Sequence, residues 1–253
     1  NSSTGDDIVA WSWDMGGTTA SNTSGSITSS VRANTAYGQS IVSYTGTGSA
    51  ATIGHGLASA PNLIISKKRD AAASWMVYHS ALGATKYILL SSPNAAGTSS
   101  NAWNDTDPTS TVYSVLASGG VNTSGASYIA YCFSDVANYS KFGSYSGNGS
   151  TTGPVVTLGF SPAFVMIKRT DTGGNGWVML DNTRNPFGNF DNHLEANTSA
   201  AETDNTGDGV MPSSTGFQLT NTYAGMNASG GTYIYAAFAD TREYAYWYDQ
   251  SGN

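Results

Sequence analysis

P-N-L-I-I-S-K-K-R-D, from Pro61 to Asp70, returns as P-A-F-V-M-I-K-R-T-D from Pro162 to Asp171, an offset of 101 residues. Tyr44-Thr45-Gly46-Thr47-Gly48 returns at the same offset as Tyr145-Ser146-Gly147-Asn148-Gly149. A repeat of this length decides the architecture, so it is read before any local pattern. Working outward, Trp75 matches Trp177. Asn122-x-x-Gly125 with Tyr128-Ile129 and Phe133 then matches Asn227-x-x-Gly230 with Tyr233-Ile234 and Phe238, where the offset has grown to 105. Two homologous modules follow, 39–139 and 140–242, with the four extra residues in the loop-rich middle. Their common order of motifs predicts one shared topology.

Leu63-Ile64-Ile65 and Phe164-Val165-Met166-Ile167 are apolar at successive positions. Successive strand residues point to opposite faces, so both faces of these strands need apolar cover. Short β-rich runs bounded by Gly, Pro, Asn, Asp and Ser recur throughout, and no amphipathic helical pattern lasts beyond two turns. Six or seven strands per hundred residues predicts an all-β fold of tandem antiparallel β-sandwiches, with jelly-roll and immunoglobulin-like topologies both open. Ile129 and Phe133, and likewise Ile234 and Phe238, are four apart on one strand face and are expected to be buried.

Residues 1–38 read as the last strand of a preceding repeat plus a linker. Asn1 to Gly5 and I-V-A-W-S-W repeat the end of a module, with Val9 and Trp13 at the positions of Ile129 and Phe133. Ile8, Val9, Trp11 and Trp13 together represent roughly 6–12 kcal/mol of burial, which predicts that 8–13 is paired in a sheet, in its own chain or in a neighbouring copy. Residues 14–38 read as linker by composition, although Ile27 and Val31 share a strand face. Residues 243–253 read as the start of a following module or a tail. The chain is therefore expected to be a segment of a longer polypeptide.

Composition excludes several classes. In 253 residues, Lys plus Arg number 10 against 17 Asp plus Glu, a net charge of -7, with no concentrated basic surface for nucleic acid. No apolar run approaches the roughly 18 residues of a spanning helix. Only 11% of residues are charged while 39% are hydrophobic, which fits a folded extracellular β-protein rather than a disordered chain. The single Cys132 reads as a small buried hydrophobe.

Candidate chemistry is sparse. His55, His79 and His193 have no metal-ligand spacing, and no G-x-S-x-G turn presents a serine nucleophile. No catalytic residue and no cofactor is expected. Asp204 and Asp208, in E-T-D-N-T-G-D-G, are candidate ligands of an acidic calcium loop, but the twelfth-position Glu of such a loop is missing and a solvated loop is the preferred reading. The doublets Lys67-Lys68 and Lys168-Arg169 read either as contacts to anionic glycans or, preferably, as polar strand ends paired locally to Asp70 and Asp171. Trp103-Asn104-Asp105, and Tyr246, Trp247 and Tyr248 with Tyr244, are candidate sugar-stacking positions, with structural packing as the competing reading.

The pattern Y-x-G-x-G, G-F-x-P-x-F-V-x-I-K, W-x-x-x-D-N and N-A-S-G-G-T-Y-I-Y-x-A-F-A, carried by Gly159, Phe160, Pro162, Phe164, Lys168, Trp177, Asp181, Asn227, Gly230, Tyr233 and Phe238, resembles a repeat domain of tail-fibre and virion appendage proteins of tailed bacteriophages, notably marine, cyanophage-like ones. The first module departs from it, with His79 where the second has Asp181. The resemblance implies a non-enzymatic structural and adhesion segment in a virion, assembled as a homo-oligomer, by analogy a trimer, that contacts host surface glycans. The alternatives are a carbohydrate-binding module or filament-forming segment of a secreted or cell-surface bacterial protein, and a polysaccharide depolymerase.

Overall fold

The computed structural model describes residues 9–185, 188–204 and 209–240. Two strands, β1 (Ala20–Asn22) and β2 (Ser29–Asn34), precede the first module. That module contains β3 (Gln39–Thr45), β4 (Ala51–Gly54), β5 (Leu63–Lys68), β6 (Met76–His79), β7 (Lys86–Leu89), β8 (Gly97–Thr98), the short helix α1 (Ser100–Trp103), β9 (Val112–Val115) and β10 (Ser127–Phe133). The second contains β11 (Ser140–Ser146), β12 (Val155–Thr157), β13 (Pro162–Arg169), β14 (Trp177–Asp181), β15 (Asn192–Glu195), β16 (Thr203–Asp204), β17 (Val210–Ser213), β18 (Gly216–Leu219), the short helix α2 (Ala224–Asn227) and β19 (Thr232–Ala239). No helix of the described residues is long and apolar enough to cross a membrane.

Both modules have the same strand order. The large sheet of the first runs β3-β10-β5-β6-β7-β8, and that of the second runs β11-β19-β13-β14-β15-β16. A small sheet covers one face of each, β4-β9 in the first and β12-β18-β17 in the second. All named pairings are antiparallel. Each module is thus a β-sandwich whose first and last long strands lie side by side.

The two large sheets also pack on each other, so the chain stacks four sheets around three apolar cores. Along β19, Tyr233, Tyr235 and Ala237 enter the core under the small sheet, while Ile234, Ala236 and Phe238 enter the core between the modules. Along β13, Val165 and Ile167 face one way and Phe164 and Met166 the other. The period of two in side-chain direction explains why these strands are apolar at every position. Phe133, Ile234 and Phe238 are buried. Ile129 is only half-buried, because it does not join the seam between the modules.

The repeated motifs have one structural job. The Tyr44 hydroxyl donates to the Val121 carbonyl and the Tyr145 hydroxyl to that of Met226, both at 2.7 Å. Each ring stacks on the tyrosine of the neighbouring strand, Tyr128 or Tyr233, at 5.3 and 5.0 Å. The buried Asn122 accepts from the Thr47 N–H and donates to the Ser49 carbonyl. Asn227 accepts from the Asn148 N–H and donates to the carbonyls of Ser150 and Asn221. Gly46 and Gly147 pass so close to the loop that a Cβ would stand 2.3 Å from the Thr123 oxygen and 2.4 Å from the Ala228 oxygen, which only glycine allows.

The stretch read as a linker is a sheet edge. β2 pairs with β3, setting Val31 opposite Val42, and β1 pairs with β2. Ile27 and Val31 are buried in the first module's core, with Ser29 buried and Ser30 and Arg32 exposed. Composition alone does not register that alternation, which lets a Ser-rich segment form a ladder. Residues 9–13 are not a strand: Val9 is exposed, and Trp11 and Trp13 are half-buried against the seam, while Ile8 lies outside the described residues. Trp13 makes edge contacts with Phe133, Phe164 and Phe238, at 6.4, 5.7 and 5.5 Å. Aromatic packing on the open mouth of the seam buries apolar surface without a sheet partner, which is why this segment differs from the strand it resembles.

Candidate functional site

Three of the four residues of the basic doublets are engaged by the fold itself. Lys168 is fully buried and donates to the carbonyls of Pro93 at 3.2 Å and Asn175 at 2.7 Å, with burial pushing its amine down to about 8. Lys67 donates to the Ala73 carbonyl and lies over the Trp75 ring at 5.6 Å. Lys68 is half-exposed at the strand end. Arg169 forms a two-pronged ion pair with Asp171, both contacts at 3.0 Å, and the Asp171 carboxyl is held at about 2 by that hydrogen bond foremost. Asp171 also accepts from the Thr232 N–H, as Asp70 accepts from that of Ser127.

Trp103 is 1% exposed and packs edge-on against Tyr78 at 5.8 Å, so it is a core residue and no sugar platform. Asn104 and Asp105 have φ of 54° and 45°, and the Asn104 N–H closes α1 by donating to Ser100. Asn and Asp tolerate this left-handed backbone better than most residues, which accounts for them here. Asp204 lies on β16 and is exposed. Tyr244, Tyr246, Trp247, Tyr248 and Asp208 lie outside the described residues. Among the described residues, no three His, Cys, Asp or Glu side chains gather as a metal ion would require.

The histidines and the cysteine are buried. His55 accepts from the Leu57 N–H on Nδ1, leaving Nε2 to donate to the Thr109 carbonyl at 3.1 Å. Burial lowers the basicity of His55, and it pushes the thiol of the fully buried Cys132 up to about 12.

One surface cleft has the makings of a site, and sequence reading missed it. It encloses about 490 Å³ in the second module and is lined by His193, Glu195, Thr203, Asn221, Thr222 and Tyr223, with two alanines. Strand alternation puts His193 and Glu195 on one side of β15, and register sets Thr203 of β16 opposite His193. Tyr223 arrives from the turn before α2, held by its N–H donating to Asn221 Oδ1 at 2.9 Å. Its ring stacks on His193 at 5.9 Å and 24°, and its hydroxyl lies 3.4 Å from Glu195 Oε1. Tyr223 is 40% exposed, the one exposed aromatic side chain among the described residues. Burial lowers the His193 pKa and raises that of Tyr223, where the Glu195 charge acts in the same direction.

A protein-family model described as "Domain of unknown function (DUF7483)" matches residues 1–242. The chain belongs to this family. No curated protein and no solved structure matches it. Within this DUF7483 chain the repeat itself holds the signal for the cleft. Pairing of β6 with β7 and of β14 with β15 makes Glu195 the counterpart of Leu89 and His193 that of Tyr87, and the offset of 105 sets Tyr223 against Ser118. The first module closes the same place with apolar packing: Tyr87 lies on Gly97, where a Cβ would stand 2.6 Å from the ring, and Trp103 fills the core nearby.

Proposed function

We propose that this chain is a non-enzymatic structural and adhesion segment of a virion appendage, built to hold length and shape while presenting loops to a host surface. The observation that supports it is the seam. Only Ser134 to Tyr139 connect β10 to β11, yet the modules share an apolar core in which Leu63, Val77 and Phe133 meet Phe164, Trp177 and Phe238. A short connection and a common core join the two repeats far more stiffly than a flexible tether, as a spacer that holds its length requires. The virion setting and trimeric assembly rest on the resemblance of the repeated motifs. Mass spectrometry of purified particles from the source culture tests the reading. Peptides from both modules in the particle fraction are expected, and their restriction to a non-particle secreted fraction would overturn it in favour of a cell-surface or secreted module.

A further inference from the structure

We propose that the cleft between β15, β16 and the turn before α2 binds an uncharged saccharide, with the sugar's C–H face on Tyr223 and its hydroxyls on Glu195 and the flanking threonines. This rests on the adhesive part of the reading above and gives it a location.

The shape and lining point to a ligand of this class. At about 490 Å³ the cleft falls within the ~300–1,000 Å³ of small-molecule sites. An exposed aromatic ring held rigidly in place costs little entropy on binding, and a pyranose presents an apolar face that complements it. Here the ring is held twice, by His193 beneath it and by the Asn221 side chain at its backbone. The polar lining, a carboxylate and the hydroxyls of Thr203 and Thr222, matches sugar hydroxyls, which both donate and accept.

Charge narrows the class. Glu195 is the one carboxylate in the lining among the described residues, while Glu202, whose charge also acts on His193, is bound by Arg184 at 2.6 Å. No Lys or Arg lines the cleft among the described residues, and the cations nearest it are engaged elsewhere, Lys168 by the carbonyls of Pro93 and Asn175 and Arg184 by Asp181 and Glu202, which favours neutral sugars over uronic acids, sialic acids and phosphorylated sugars. A cationic ammonium is the other ligand that an aromatic ring and a carboxylate could take. An aromatic cage for it presents several ring faces, whereas His193 is stacked against Tyr223 and leaves one face open.

The two modules supply an internal comparison. Leu89, Tyr87, Gly97 and Ser118 of the first are Glu195, His193, Thr203 and Tyr223 of the second. Packing is replaced by a polar cleft at four positions that meet only in the folded state, while the surrounding Tyr, Asn and Gly framework is kept.

Saturation-transfer NMR on the whole chain, with methyl glycosides of glucose, galactose, mannose, rhamnose, N-acetylglucosamine and N-acetylgalactosamine, tests this. Glucuronic acid, sialic acid and tetramethylammonium are the charged comparisons. At least one neutral glycoside is expected to receive saturation, with affinity reduced tenfold or more by Tyr223→Ala, retained by Tyr223→Phe and unaffected by Lys86→Ala in the first module. Silence from every neutral glycoside, unchanged binding in a folded Tyr223→Ala protein, or binding of tetramethylammonium alone would each overturn the assignment. None of these results bears on particle composition, so the site and the structural role fail separately.

Discussion

His79 Nε2 lies 3.1 Å from the carbonyl oxygen of Tyr235, across the seam between the modules. Nδ1 of the same ring accepts from the Ala81 N–H at 3.2 Å, so Nε2 carries the proton and donates it. At the equivalent place in the second module Asp181 accepts from the Thr183 and Arg184 N–H groups and from the Trp11 indole at 3.1 Å. The repeat thus keeps a turn-closing acceptor at the end of the strand and changes what its other side reaches.

Acid should loosen the seam through His79. Burial brings the imidazole down from 6.5 to about 4, so between those values the unfolded chain binds the proton and the folded chain does not. Its contribution is intact above about 6.5 and is lost as pH falls toward 4, by about 3 kcal/mol. His55 is shifted the same way, whereas Asp171, at about 2, stays ionised throughout. Chemical denaturation at pH 7 and pH 4 should show a smaller loss in His79→Gln than in the wild type, and equal losses would refute the assignment.

A module cut from its partner should not stay monomeric. Residues 140–242 alone would bare Phe164, Met166, Trp177, Ile234 and Phe238, an apolar face of the kind that drives association. Light scattering should find dimers or aggregates, and adding Ala236→Asp should restore a monomer. A soluble monomer without that change would mean that the seam contributes little.

Trp13 should be worth about 2 kcal/mol. It is half-buried and touches three phenylalanine rings at the seam mouth, below the ~3–5 kcal/mol of a fully buried tryptophan. Urea unfolding of Trp13→Ala measures it, and a midpoint unchanged from wild type would show the segment to be loosely held.

Asn227→Ala should cost about 3 kcal/mol, because it leaves the Asn148 N–H, the part-buried Ser150 carbonyl and the buried Asn221 carbonyl without their partner. For a chain of this size that is a fall of roughly 6–12 °C in Tm, which calorimetry reads directly. Asn122→Ala, with fewer bonds removed, should fall less.

The cleft illustrates what stays hidden in a linear reading. Trp103-Asn104-Asp105 looks like an exposed aromatic turn, but α1 folds the indole into the core, and only the turn chemistry of Asn104 was readable locally. Tyr223 sits in an unremarkable N-T-Y-A stretch, 28 residues from Glu195, and hairpin register together with the Asn221 turn makes them neighbours.

The sequence by itself determined the all-β character and the two copies, because strand alternation, turn residues and the Tyr-Asn-Gly framework act over a few residues. It also carried the demand that β5 and β13 be covered on both faces. Only the tertiary structure decided what covers them: each module lays its large sheet on the other's, and Trp11 and Trp13 pack the mouth between. The same holds for residues 14–38, whose Ser-rich composition suits a tether equally well until Val31 finds Val42. Such choices depend on which surfaces remain unpaired once the local elements have formed, and that is a property of the assembled sheets rather than of any stretch of chain.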